Sequence, residues 1–177
     1  MAIILTSITV QSQDSATTSG IPQLKLTPAG VEPVVVPVEG KTATELYQKT
    51  LNWVQLTWKN PDMVLKAKVE NESVRIEAFA ANAWSYKSLG IPMSYGMHYT
   101  VEIGFKDGKY RFEYRVGDFS ADGAKVLYDY KTFWKKDGTL RKAYAESPAQ
   151  IDAEMNALNL SLYNYITGKS TTTKKDW

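Results

Sequence analysis

The sequence predicts an α+β domain: an antiparallel sheet of about five strands, packed on one face against two amphipathic helices. Three observations carry this. Helix signals agree over residues 42–60 and again over 147–168, and two apolar-alternating hairpins lie between them. An antiparallel sheet with one apolar face needs cover on that face only, and two helices with one apolar stripe each supply it. The length of 177 residues suits one domain with extensions, divided into an N-terminal arm (1–30), the domain (31–168) and a C-terminal tail (169–177).

The arm contains "SQDSATTSG", small and polar, which reads as a linker. "IPQLKLTPAG" then reads as an extended segment with Ile21, Leu24 and Leu26 alternating. "VEPVVVPVEG" is a strand, but Pro33 and Pro37 cannot donate to a ladder, so it belongs at an edge.

The first helix opens with a capping box, Thr42 with Glu45. Its stripe is Tyr47, Leu51, Val54 and Trp58, widened by Leu46 and Trp53, and Asn60-Pro61 stops it. Residues 63–70 alternate, with Met63, Leu65, Ala67 and Val69 on one face and Lys66 and Lys68 on the other. Across a tight turn at Asn71-Glu72, Val74, Ile76 and Ala78 oppose Arg75 and Glu77, which makes a hairpin. Residues 81–96, with Gly90 and Pro92, read as a long loop.

A second hairpin turns at Asp107-Gly108. That turn pairs Phe105 with Tyr110, Ile103 with Phe112, Val101 with Tyr114, and Tyr99 with Val116, so one register buries a whole face. Residues 124–144 read as partly extended chain around a turn at Asp137-Gly138. The last helix is expected to take Ser147 as N-cap, Pro148 at its first position and Gln150 as box partner. Its stripe is Ile151, Met155, Leu158, Leu162 and Ile166, and Gly168 ends it.

No catalytic constellation emerges from this pattern. There is no cysteine and a single histidine, His98, so thiolate and multi-histidine metal sites are excluded and no metal or cofactor is expected. The hairpin register sets Glu102 opposite Glu113, an arrangement that suits an acid/base pair. Arg111 and Arg115 lie diagonally from Glu102 and neutralise the pair, so a solvated charged face is the better reading. His98 has only Ser94 and Tyr95 as local partners for a nucleophile relay and reads as a surface or structural residue.

"YDYKTFWKKDGTLRK" interleaves Tyr128, Tyr130, Phe133 and Trp134 with Lys131, Lys135, Lys136, Arg141 and Lys142. Aromatics among cations can stack on single-stranded nucleic acid or grip an acidic protein neighbour. A net charge of only +2 lacks the basic excess of a nucleic-acid binder, so a protein neighbour is expected. No apolar run reaches the roughly 18 residues that cross a bilayer.

"VEGKTATELYQKTLNWVQLTW", the two hairpins ending in "FKDGKYRFEY" and the final helix together resemble a family of uncharacterised bacterial proteins, a domain of unknown function with a TATA-binding-protein-like fold. The resemblance covers Val34 to Phe119 and implies a curved antiparallel sheet backed by helices. It implies no catalytic residues and no DNA binding, because function lives in sites and not in folds. Members of that family usually look exported, with a basic, strongly apolar leader.

This chain departs from that habit: no Lys or Arg precedes Lys25, and "AIIL" is broken at once by Thr6, Ser7 and Thr9. "MAIILTSITVQSQD" is therefore expected to be a structural arm. The leading expectation is a non-enzymatic structural subunit of a large assembly, such as a phage head–tail connector, ring or decoration protein in a virion. Its partners would be copies of itself and other structural proteins. The expected contacts are Ile3, Ile4, Leu5, Ile8, Val10, Leu24, Leu26, Tyr128, Tyr130, Trp134, Lys135, Lys136 and Trp177. The alternative is an exported or periplasmic binding module; a third reading is a hydrolase using Glu102 and Glu113.

Overall fold

The computed structural model describes residues 20–169. A small ladder, β1 (Leu26–Thr27) with β2 (Gly30–Val31), precedes the main sheet. That sheet comprises β3 (Val34–Pro37), β4 (Leu65–Val69), β5 (Ser73–Ser88), β6 (Ile91–Lys106) and β7 (Lys109–Ala121). The strand order is β3-β7-β6-β5-β4, antiparallel throughout, and a sixth strand, β8 (Ala124–Lys125), pairs with the end of β7. The proline-flanked β3 lies at an edge, as its missing donors require.

Two long helices, α1 (Ala43–Thr57) and α3 (Ser147–Thr167), cover one face. α1 begins with the capping box: the Glu45 N–H donates to Thr42 Oγ1 (3.2 Å) and the Thr42 N–H donates to Glu45 Oε2 (2.9 Å). The Thr42 N–H, helped by the Lys41 ammonium, holds the Glu45 carboxyl below its ordinary value. Gly168 ends α3 in the left-handed conformation, φ 73.

The β6–β7 register is the one the Asp107-Gly108 turn demands, with Phe105 opposite Tyr110 and Val101 opposite Tyr114. Its inward residues meet Leu46, Trp53, Val54, Met155, Leu162 and Ile166 in one core. Polar bonds cross this core: Tyr110 Oη donates to Asn159 Oδ1 (2.8 Å), and Trp53 Nε1 donates to Ser161 Oγ (3.1 Å). Both tie the ends of amphipathic aromatics to α3, where an unpaired hydroxyl or indole N–H would be costly.

Four expectations are corrected. Residues 81–96 are not a loop: they are the outer half of the β5–β6 hairpin, turning at Leu89-Gly90. The pattern misled because a bulge at 81–83 interrupts the alternation, and because Pro92 is tolerated where β6 has no neighbour but β5. Residues 61–64 form a single helical turn, α2 (Pro61–Val64), and a bulge between Leu65 and Ala67 reverses the phase that follows. Met63, Ala67 and Val69 are consequently exposed.

Ser147 does not cap α3. Its hydroxyl donates to the Ser85 carbonyl (3.0 Å), on an edge of β5 that β4 does not reach, and Ser85 Oγ donates to Gln150 Oε1 (3.2 Å). Lastly, Leu24 and Leu26 are not free for a neighbouring subunit: they are 2% and 3% exposed in this chain's own core. The Leu24 N–H donates to Asn156 Oδ1 (2.8 Å) and the Leu26 N–H to Asp152 Oδ1 (2.7 Å), so this strand is strapped along α3. Ile3, Ile4, Leu5, Ile8, Val10 and Trp177 lie outside the described residues.

Burial raises the Asp152 carboxyl above its ordinary 3.8, against the opposing pull of the Leu26 N–H and Lys25. A raised folded-state pKa means this group favours folding most below 3.8 and loses that contribution as pH rises through the raised value. Asp152→Asn keeps the acceptor without the charge, so its stability relative to the parent should increase with pH across that window in urea unfolding. Asp152→Ala should cost about 1–3 kcal/mol, the penalty of an orphaned N–H.

Burial also pushes Tyr99 up to about 12 and drives Tyr110 and Tyr114 higher still. Their contribution is intact below the ordinary 10.0 and lost as pH climbs toward about 12. Tyrosinate absorbance between those values should be lower in the native protein than in urea, with the unfolding midpoint falling over the same range.

Candidate functional site: the uncovered face of the sheet

Helices occupy one face of the sheet; the other is built from the alternate residues of the same strands, and the ladder registers place them in cross-strand rows. One row runs Val69, Ser73, Gly104, Arg111, Val35. The next runs Ala67, Arg75, Glu102, Glu113, and beyond it come Glu77, Thr100 and Arg115. At the far end, Phe79 stands beside His98.

The first row is apolar at its ends and small in its middle. Val69 and Val35 are about half exposed, at 50% and 51%. Between them Gly104 has no side chain, and a groove of about 610 Å3 opens there, lined by Val35, Glu72, Gly104, Phe105, Lys106, Lys109 and Arg111. Three cations against one carboxylate give it a positive lining. A Cβ placed on Gly104 would meet nothing nearer than the Glu72 carbonyl at 3.9 Å, so the fold does not require glycine at this position.

The middle rows form an ion ladder. Arg75 Nη2 lies 3.0 Å from Glu102 Oε2. Arg115 Nη2 lies 2.6 Å from Glu113 Oε1 and 3.6 Å from Glu102 Oε2. Arg111 Nη2 lies 2.7 Å from Glu113 Oε2. The sequence places Glu102 opposite Glu113, with Arg111 and Arg115 diagonal to Glu102 and neutralising the pair; in the structure Arg111 pairs with Glu113 and Arg115 with both. Arg75 it misses, because the Leu89-Gly90 turn that joins β5 to β6 lies at the far end of the hairpin, beyond the 81–83 bulge. Each exposed pair contributes about 0.2–1 kcal/mol, and the arrangement holds both carboxylates as ion-pair acceptors.

At the far end the Phe79 ring lies 4.9 Å from the His98 ring and directly over Gly96, where an added Cβ would sit 2.2 Å from Phe79 Cζ. His98 is exposed; Tyr95 is buried, on the opposite side of the strand. Ser94 shares the His98 face but sits four residues along, about 13 Å at strand rise. No relay of His98 with either residue is assembled. Among the described residues, no group of three His, Cys, Asp or Glu side chains could hold a metal.

The aromatic–cation segment turns its aromatics inward. Phe133 is fully buried, and its ring lies 4.8 Å from Trp84. Trp84 also stacks on Tyr95 (4.4 Å) and touches Phe119 (4.9 Å), with Tyr128 and Tyr144 at the rim. Tyr128, Tyr130 and Trp134 are half-buried parts of this packing, with Trp134 bridged to Leu140. Lys135 and Lys136 stay exposed around the turn. This segment is the lid over the aromatic end of the core, and it offers no row of free rings for bases to stack on.

Residues 34–121 match the model of DUF4468, a domain of unknown function with a TBP-like fold. The chain carries a DUF4468 domain. A crystal structure of a DUF4468 family protein from Bacteroides ovatus superposes with a TM-score of 0.56 at 13% identity, covering 89% of this chain and 95% of that one. A TBP-like protein from Parabacteroides distasonis superposes with a TM-score of 0.55 at 11% identity, covering 77% and 91%. At such identities the likeness is one of fold. No curated protein matches the chain. The DUF4468 match spans β3 to the end of β7, so the aromatic lid and α3 lie beyond it.

Gly117 and Gly104 should respond oppositely to alanine. A Cβ on Gly117 would lie 2.8 Å from the His98 carbonyl, a backbone atom that cannot swing aside. Gly117→Ala should therefore cost about 1–3 kcal/mol in urea unfolding, and Gly104→Ala should cost nothing measurable.

Proposed function

We propose that this chain is a non-catalytic module that binds another protein through the uncovered face of its DUF4468 sheet. The observation that carries the reading is the Gly104 groove. It opens on the sheet face away from the helices, it is bounded by Val35 on the β3 side and Glu72 on the other, and it is open at a glycine that the fold itself does not need. Lys106, Lys109 and Arg111 suit it to an acidic, extended segment of the partner.

The edges are poor places for such a partner to add a strand. β3 is flanked by Pro33 and Pro37, and β4 is short, bulged and carries Lys66 and Lys68. A face-on contact is what remains. This is the common ground of an assembly subunit and an exported binding module. The virion setting rests on terminal residues outside the described part and on Leu24 and Leu26, which the core consumes, so it is not carried forward.

A photo-crosslinking residue at Val35, in the native host, should capture a protein partner. Gly104→Phe, whose ring would rise from the groove floor, should abolish that adduct while leaving the unfolding midpoint in place. The same probe at exposed Leu56 on α1 should capture nothing. Adducts from Leu56 with none from Val35 would overturn the reading.

A further inference from the structure

Four described residues other than glycine have a left-handed backbone: Asn71 (φ 59), Asn82 (φ 54), Asp122 (φ 50) and Leu89 (φ 50). Asn and Asp tolerate this region because a short polar side chain bonds locally; leucine gains nothing there and is strained by its Cβ. Two of the four share one type of turn. Asp122-Gly123 joins β7 to β8 with φ 50 and 80, and Leu89-Gly90 joins β5 to β6 with φ 50 and 82. The chain thus sets leucine where its own equivalent turn sets aspartate.

No packing compensates for that choice, since Leu89 is 100% exposed. Ile91 and Met93, on the side of β6 that faces the core further along, are 63% and 40% exposed. Pro92 is exposed on the opposite side of the ribbon. Strain and apolar exposure therefore coincide at the tip of the longest hairpin, and neither serves the isolated fold.

Within the outer half of the hairpin the charge is of one sign, and behind it cations outnumber carboxylates. From Ala78 to Met97, Lys87 is the sole Asp, Glu, Lys or Arg. Behind it, Lys87 and Tyr86 share a cleft with Lys142 and Glu146. Tyr144, 5.1 Å from Tyr86, anchors the segment that supplies Lys131, Lys135, Lys136 and Arg141. From Tyr86 to Leu89 is about 10 Å at strand rise. That is the depth, roughly 5–10 Å, to which amphipathic elements enter the boundary between headgroups and acyl chains.

We propose that the β5–β6 tip, Ser88 to Met93, inserts into the interface of a bilayer containing anionic lipids, with Leu89 deepest and Lys87 and Lys142 at the phosphates. A lipid surface fits better than a groove on a protein. Apolar residues occupy the apex and both sides of the ribbon, and a fluid acyl phase receives all of them, whereas a groove takes one face. Tyr86 then sits at headgroup level, where an apolar ring with a polar tip is most favourable. This contact is separate from the Gly104 groove and does not depend on it.

The test is flotation of the full chain with vesicles of phosphatidylglycerol and phosphatidylcholine, and with phosphatidylcholine alone. The parent should float with the anionic vesicles. Leu89→Asp should lose about tenfold or more of that partition, while its unfolding midpoint stays level or rises, since aspartate suits the turn. Lys87→Glu should weaken the preference for anionic lipid. The chain has no cysteine, so Leu89→Cys accepts a single environment-sensitive dye, which should brighten on vesicle addition. Absence of flotation, undiminished flotation of Leu89→Asp, or a protein captured through position 89 without flotation would each overturn the proposal.

Discussion

The Asp107-Gly108 turn is the constraint on which the rest of the molecule leans. A two-residue turn leaves the strands it joins one register. Here that register puts Tyr99, Val101, Ile103 and Phe105 on the same side as Tyr110, Phe112 and Tyr114. A slip of one residue would send that whole set to solvent. The same turn also places the first helix. Asp107 Oδ1 accepts the Ala43 N–H (2.8 Å), the Gly108 N–H donates to the Lys41 carbonyl (2.7 Å), and the Gly108 carbonyl accepts the Val38 N–H (2.8 Å). One loop thus aligns the core face of the sheet, the edge strand that enters it and the start of α1.

Away from that turn, bulges decide what each part of the sheet faces. The 81–83 bulge lets β5 and β6 run on past α1 and offers Trp84 and Tyr95 to the aromatic end of the core. The bulge after Val116 reverses the phase of β7 so that Phe119 joins that core. Phe133, Tyr128 and Tyr144 close it from the irregular segment, which thereby becomes a lid. The hairpin tip projects beyond this lid, and among the described residues no helix covers the opposite sheet face from Val35 to Phe79.

The candidate surface was only partly legible in the sequence. Glu102 facing Glu113 could be read directly, because the Asp107-Gly108 turn enumerates its cross-strand pairs. Arg75 joining Glu102 could not, since no short turn specifies the β5–β6 pairing near it. The groove at Gly104 was hidden for a different reason. A glycine in a strand announces a bulge, a bend or a close approach with equal force, and only the neighbours across the sheet show which applies. Leu89 was invisible altogether, because its anomaly is a backbone dihedral.

By itself the sequence determined the α+β class, both long helices with the α1 capping box and the Gly168 stop, the edge position of β3 and the central hairpin. These rest on interactions within a few residues, or on a periodicity that one element carries alone. Only the tertiary structure decided that Leu24 and Leu26 strap the chain to α3 instead of reaching a neighbour. It likewise decided that Tyr128, Phe133 and Trp134 face inward, and that residues 81–96 are strand. The first two depend on partners far along the chain, Asn156 and Asp152 for the strap and Trp84 for the lid, and the third on a bulge at 81–83 and a turn at Leu89-Gly90 that the alternation does not announce. An apolar or aromatic residue looks the same in sequence whether its partner is in its own chain or another, and folding is what makes the choice.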